Sequence, residues 1–264
     1  MATSRQQREQ REARDRLQRY TARQEVNAHQ TKRRLRDNIY AIAGVLLVGA
    51  LAATAQIFFF TAGPGAPTPE PSASASTPTG TNVGAPDAAL AESRIWTGEL
   101  TINDVELGIE LDGVNAPQAT AGWVQAAETD YYPGKTCHRL ATTAGFAFLQ
   151  CGSLDGTGAG DPSFSYGPIE NAPADGVYPA GTIAMARTGD DAYSNGHQFF
   201  IVTDSTTLGT DSVGGYTVVG RVTSGLENLI DQITSQGIDP EQLAPDGQSG
   251  APVVPATITA LTLR

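Results

Sequence analysis

Cysteine, histidine and, over most of its length, basic side chains are what this chain lacks. It has two cysteines and three histidines in 264 residues. No CxxC or HxxxH pair exists, so the ligand spacing that holds zinc is missing, and Cys137, His138, Cys151 and His197 do not read as a metal site. Of the 17 Lys and Arg, 11 fall between Met1 and Asn38, against 5 acidic residues, for about +6. Thr61 to Arg264 keeps 6 basic against 23 acidic residues, about −17. That part has no basic stripe to neutralise phosphates, which excludes nucleic acid as its partner. No internal repeat is visible.

Charge is absent altogether from Ile39 to Phe60, 22 residues reading IYAIAGVLLVGALAATAQIFFF. The length matches the ~20 apolar residues that span a hydrocarbon core. A cleaved signal peptide has a short basic start and an apolar core of roughly 7–15 residues. Here both are longer. Ala53-Thr54-Ala55 resembles a cleavage site, yet Ile57-Phe58-Phe59-Phe60 keep the run apolar. A buried core helix fits poorly between a charged arm and a proline-rich tail. The segment reads as a single transmembrane helix. Lys32, Arg33, Arg34 and Arg36 abut its start, so the positive-inside rule leaves the N-terminus cytoplasmic and the rest extracytoplasmic. Residues 1–38 form a cytoplasmic basic arm near anionic lipid, with Glu12–Arg16 and Asp15–Arg19 at helical i,i+4 spacing. Residues 61–92, rich in Pro, Ser, Thr and Ala, read as a flexible tether. The folded domain is expected over 93–264.

In that domain Trp96 to Ile102 and Val105 to Leu111 read as a hairpin around Asn103-Asp104. Pro117 opens a helix carrying Ala121, Val124 and Ala127. Strand-like runs follow at Cys137 to Leu140, Phe146 to Cys151, Gly181 to Ala186, His197 to Thr203 and Tyr216 to Val222. Gly152 to Gly167 is too broken for regular structure. Ser224 to Glu227 fits a capping box. Leu226, Leu229, Ile230 and Ile233 continue at helical spacing, and Pro255 to Leu263 supplies a last strand. Many short strands with two helices fit a mainly β fold, a closed antiparallel barrel with helical plugs.

The most informative stretch is Asn195-Gly196-His197-Gln198-Phe199-Phe200-Ile201, with His138-Arg139 upstream. Strand alternation puts Phe199 and Phe200 on opposite faces. An amide, rings and a lone arginine make an apolar dish with a directional hydrogen bonder. It suits an extended peptide with a ring-shaped, uncharged side chain, and proline is the obvious candidate. Twisting the bond before a proline requires no metal, nucleophile or cofactor.

Cys137-His138-Arg139-Leu140, Gly145 to Gly152 (GFAFLQCG), Gly181 to Ala186 (GTIAMA) and Gly196 to Ile201 (GHQFFI) occur in the order of the cyclophilin motifs. From about Ser93 onward the chain resembles cyclophilin-type peptidyl-prolyl isomerases, and its anchored layout is similar to that of the membrane-attached cyclophilins of actinobacteria. The resemblance implies an eight-stranded barrel capped by two helices, isomerase activity on Xaa-Pro bonds and no cofactor. The partners it implies are proline-containing exported polypeptides. Arg139 matches the catalytic arginine. Gln150, Gln198 and Phe200 match substrate-binding positions, with Phe200 the floor of the proline pocket. Phe148, with Phe146 beside it, takes the apolar pocket position. Ala186 corresponds to a backbone contact, Arg187 follows it, Leu208 lies at the rim and Tyr216 walls the pocket. A catalytically weak proline-peptide binding module or chaperone is the alternative.

The chain departs from the family pattern at Tyr216 (usually histidine), Thr207 (commonly tryptophan) and Arg187 (frequently asparagine), and the Arg139-to-Gln150 segment is longer. These differences imply changed specificity or rate. His138, His197, Trp123 and Val124 read as structural. Cys137 and Cys151 can bridge in an oxidising compartment. Parity opposes it: if Arg139 and Gln150 face one site, a regular ladder puts the sulfurs on opposite faces. Only a bulge would let them meet.

Overall fold

The computed structural model describes residues 80–264. In β1 (Ile95–Ile102) and β2 (Val105–Asp112) apolar residues alternate with polar ones. The strands therefore bury Leu100, Ile102, Val105, Leu107, Ile109 and Leu111 on one side. Each such side chain contributes roughly 1.5–3 kcal/mol when fully buried. Asn103 and Asp104 form the two-residue turn, with Asn103 at φ 53°, a left-handed conformation that asparagine tolerates. Helix α1 (Pro117–Glu128) starts on proline, whose missing N–H costs nothing there. Its N-cap, Ala116, has no capping side chain. The carboxylate of Glu170 accepts instead from the N–H groups of Gln118 (3.0 Å) and Ala119 (2.9 Å). A group distant in sequence caps this helix.

The remaining elements are β3 (Thr136–Thr143), β4 (Phe146–Cys151), β5 (Val177–Tyr178), β6 (Thr182–Met185), β7 (Phe199–Val202), β8 (Thr206–Thr207), β9 (Val218–Ser224), α2 (Leu226–Gln232), β10 (Ile238–Leu243), β11 (Ser249–Pro252) and β12 (Ala256–Leu263). Strands run in the order β3-β12-β1-β2-β9-β6-β7-β4, all antiparallel, and β4 pairs back with β3. This is the expected closed eight-stranded barrel with two helices. Closure removes the free strand edges of the barrel. The hairpin β10–β11 is added to β3, and β5–β8 is a separate short ribbon.

Leu140, Leu149, Ile183, Phe199, Ile201, Val219 and Ile258 fill one interior together with Trp123 of α1, Leu229 of α2 and Ile233 just beyond it. The Trp123 ring lies 4.7 Å from Phe199 and 5.1 Å from Tyr132, so this tryptophan is helix packing, as expected.

Two expectations need correction. Ser224 is not a helix cap: it ends β9, and Gly225, at φ 84°, is the N-cap of α2 without any side-chain bond. A Cβ on Gly225 would stand 2.2 Å from the carbonyl oxygen of Glu106, so the turn admits only glycine. The packed unit also begins before Ser93. Val83 exchanges backbone hydrogen bonds with Ser165, Asn82 Nδ2 donates to Gln118 Oε1, and Ala91 is fully buried. The basic arm, the apolar segment 39–60 and linker residues 61–79 lie outside the described residues. Among the described residues no helix is long and apolar enough to cross a membrane.

Candidate active site

One row of side chains crosses the barrel wall on the face away from the core. Arg139 in β3 pairs with Gln150 in β4, Gln150 with Phe200 in β7, and Phe200 with Ala184 in β6. Their chain neighbours Leu140, Leu149, Ile201 and Ile183 belong to the interior. Alternation therefore puts the row on the opposite face. There Phe148, Phe200, Tyr178, Ala141, Ala184 and Val202 make a second apolar cluster, against which Phe146, Ala186, Leu208, Tyr216 and Val218 pack. Phe200 is its centre: Phe148 lies 5.4 Å away, Tyr216 5.5 Å edge-on and Tyr178 6.3 Å away. Phe146 meets Phe148 edge-on at 5.0 Å.

Arg139 stands over this dish, its guanidinium carbon 5.2 Å from the Phe148 ring centre and 6.0 Å from that of Phe146. A cation above an aromatic face is attracted by the ring quadrupole. The side chain is 34 % exposed. Nε donates to Ser249 Oγ (2.8 Å), Nη2 to Asp246 Oδ2 (2.8 Å) and Nη1 to Gln150 Oε1 (3.4 Å). A guanidinium has five N–H donors, so two remain uncommitted among the described residues. Neither Asp246 nor Ser249 is legible from the strand pattern around Arg139, because both come from the added hairpin. Tyr178 was missed for a similar reason: a two-residue strand carries no period. Its hydroxyl accepts from the Tyr216 N–H at 2.8 Å, and burial raises its pKa above the ordinary tyrosine value.

The two glutamines continue from Arg139. Gln150 Nε2 donates to Gln198 Oε1 (3.0 Å), and Gln198 Nε2 donates to the carbonyls of Gly158 (3.1 Å) and Ala159 (2.8 Å). Gln198 thus ties the Gly-rich loop to the site, while Gln150 keeps one amide N–H free. The Ala186 N–H donates to the Gln198 carbonyl (2.9 Å), and Leu208 joins the dish at its margin, its N–H donating to Gly176 (2.9 Å). Arg187 is placed differently. Its side chain is 1 % exposed, and all five N–H groups are used: on both oxygens of Asp211 and on the carbonyls of Thr188, Gly214 and Gly215. Those Arg187 bonds, followed by the N–H groups of Asp190 and Val213, hold the Asp211 carboxyl well below the usual range. Arg187 has no donor left for a substrate. It braces the loop before Tyr216, with its guanidinium carbon 5.0 Å from that ring centre.

Cys137 and Cys151 are bridged. They are direct partners in the β3–β4 ladder, and the register shifts between Cys137 and Arg139. One extra residue, His138, lets Cys137 face the interior while Arg139 faces the dish. Both cysteines are buried in the core cluster.

His138 and His197 take no part in the dish. His197 is sandwiched between Tyr131 (3.7 Å) and Phe164 (3.6 Å), and burial pulls its pKa down to about 4 against the opposing charge of Asp161. Burial, then the neighbouring Arg139, lowers that of His138. Elsewhere a groove of about 680 Å³ lies beside β2, β6 and β9, lined by Leu111, Pro179, Val218 and the paired Glu110 and Arg221. It has no aromatic floor and none of the Arg139 row lines it, although Val218 also packs against the dish. Among the described residues no cluster of His, Cys, Asp or Glu is arranged to hold a metal ion.

Fold and site together define a closed β-barrel protein that carries an arginine over an aromatic dish on the outside of its wall. The chain belongs to the family of cyclophilin type peptidyl-prolyl cis-trans isomerases/CLD, whose model matches residues 97–262. A probable peptidyl-prolyl cis-trans isomerase B of Mycobacterium tuberculosis is 31 % identical over 176 residues, which are 62 % of this chain and 53 % of that protein. The chain thus spans about half the length of this relative. Peptidyl-prolyl cis-trans isomerase B of Bacillus subtilis is 35 % identical over 132 residues, 50 % of this chain and 86 % of that one. The crystal structure of a cyclophilin type peptidyl-prolyl cis-trans isomerase from Cryptosporidium parvum shares the fold, with a TM-score of 0.52 and 22 % identity over 65 % of this chain and 98 % of that one. A second structure of that protein, obtained in the presence of the dipeptide Ala-Pro, gives a TM-score of 0.51 at 22 % identity, over 64 % of this chain and 98 % of that one.

Proposed function

We propose that this chain is a peptidyl-prolyl cis-trans isomerase that accelerates rotation about Xaa-Pro bonds in exported polypeptides. The observation that carries the reading is Arg139, held over Phe148 and Phe146 with two N–H donors uncommitted among the described residues. A peptide bond resists rotation by ~18–20 kcal/mol because the nitrogen lone pair is shared with the carbonyl. In the twisted state that pair is localised on nitrogen. A donor directed at the prolyl nitrogen therefore binds the twisted state more strongly than the planar one. The dish of Phe146, Phe148, Phe200, Leu208 and Tyr216 takes the proline ring and excludes water, which strengthens the Arg139 bond. Gln150 and the backbone at Ala186 hold the flanking peptide.

The energies required are modest. Ten-thousandfold acceleration asks for about 5.5 kcal/mol. A preorganised donor in a water-poor site supplies about 3–4 kcal/mol, and holding the ring while the preceding carbonyl turns supplies the rest. No cofactor enters.

Residues 39–60 would anchor the chain in the lipid bilayer, with 1–38 cytoplasmic and the barrel tethered outside, as a plasma-membrane, single-pass isomerase. The disulfide supports an oxidising compartment. Exchange spectroscopy with the full chain and a panel of short Xaa-Pro peptides tests the activity. Cis–trans exchange that quickens in proportion to protein concentration is expected; saturable binding without any acceleration would leave only a proline-peptide binding module.

A further inference from the structure

The hairpin β10–β11 docks on the strand that carries Arg139. Ser249 pairs with Ala141 and Gly250 with Leu140. The turn that joins the hairpin closes on itself: the Ala244 N–H donates to the Ser249 carbonyl (2.8 Å), and the Gly247 N–H to that of Ala244 (3.0 Å). Inside this turn Asp246 is fixed from several directions. Its Oδ1 accepts from the N–H groups of Gln248 and Ser249, both at 2.9 Å. Its Oδ2 accepts from the Ser249 hydroxyl at 2.6 Å and from Arg139 Nη2 at 2.8 Å. The bond from Ser249, followed by that from the Gln248 N–H, keeps the carboxyl well below its ordinary pKa.

Ser249 is fully buried and has a single hydroxyl proton. Asp246 takes that proton, so toward Arg139 the Ser249 oxygen can only accept, and it accepts from Nε at 2.8 Å. The aspartate thus grips the guanidinium twice, directly at Nη2 and through Ser249 at Nε. Both grips lie on one edge of the guanidinium plane. The other edge is left to Gln150 and the dish. A long side chain that is one-third exposed would otherwise sample several rotamers, and misplacement of a reacting group by about 1 Å can cost on the order of a hundredfold in rate.

We propose that Asp246 and Ser249 are positioning residues for Arg139: a clamp, supplied by the added hairpin, that aims the guanidinium at the bound proline. The inference rests on the isomerase reading above and deepens it at the same site.

The test uses the full chain and a saturating short peptide containing Ala-Pro. It reads two quantities, the on-enzyme cis–trans exchange rate and the peptide Kd. Asp246→Asn is expected to slow exchange about tenfold while Kd stays within about twofold, the pattern of a lost transition-state interaction. Ser249→Ala, which keeps the carboxylate, is expected to slow it by about threefold or more. In an Arg139→Ala background neither change should slow exchange further, because the residues act as one unit. Circular dichroism melting checks the fold, and if Asp246→Asn does not fold, Ser249→Ala carries the test. Wild-type exchange in both folded variants, or the same slowing with and without Arg139, overturns the clamp alone. Wild-type exchange in Arg139→Ala overturns the arginine's catalytic role and the clamp with it.

Discussion

Two arginines border the aromatic dish, and each sits over a ring with an aspartate as partner. Arg187 lies over Tyr216 with Asp211, and Arg139 lies over Phe148 with Asp246. Their hydrogen-bond inventories separate them. Arg187 is buried and spends all five N–H groups inside the chain, so it can only hold structure. Arg139 is one-third exposed and spends three. The same residue type beside the same kind of partner is a brace at one edge and an available donor at the other. What decides is how many donors the fold leaves over.

Exchanging each arginine for alanine separates the two roles. Arg139→Ala is expected to slow isomerisation about a hundredfold or more, the scale of a lost preorganised donor, with little change in melting temperature. Arg187→Ala should do the reverse first: a melting temperature lower by about 5 °C or more, since it strands Asp211 and three carbonyls, and a secondary loss of peptide affinity through Tyr216. If Arg187→Ala abolished catalysis in a protein of unchanged stability, the two roles would have been assigned the wrong way round.

The disulfide pins the bulge that turns Arg139 toward the dish. It closes a loop with a sequence separation of 14, which stabilises by about 3 kcal/mol in the chain-entropy account. Urea unfolding with and without reductant, repeated on Cys137→Ser/Cys151→Ser, is expected to show that loss together with slower isomerisation. Unchanged isomerisation in the reduced protein would separate the bridge from the site.

The smallest effect concerns the stacked His197, remote from both arginines in role. Its pKa is about 4 in the fold against about 6.5 in an unfolded chain. Between those values the unfolded state binds more protons. Stability is therefore full above about pH 6.5 and declines as pH falls toward 4. His197→Phe should keep the stack with Tyr131 and Phe164 and flatten this decline. A variant with the same pH dependence as the wild type would assign the decline to other groups.

Much of this was legible in the sequence, because the barrel wall obeys a period of two. Parity sets Phe199 and Phe200 on opposite faces, and the resemblance to the family joins Phe200 to Arg139 and Gln150. Two classes of feature were not legible. The bridge between Cys137 and Cys151 hinges on a bulge at His138, which local alternation cannot reveal. The hairpin that grips Arg139 is masked by Pro240, Pro245, Pro252, Gly247 and Gly250, which break any strand pattern. The position after Ala186 points to a ligand contact, and only the four tertiary bonds of Arg187, with a fifth to the neighbouring Thr188, show a brace. The cap on α1 and the early start of the packed unit likewise rest on partners distant in sequence, Glu170 and Ser165.

The most direct measurement is a titration of the full, isotope-labelled chain with a short Ala-Pro peptide, followed by NMR on side-chain signals. The Arg139 guanidinium N–H and the Phe148 and Phe200 ring signals should move together along one saturation curve, while those of Arg187 stay in place. Stationary Arg139 and Phe200 signals at saturation, with the shifts gathered instead at the Glu110–Arg221 groove, would contradict the account.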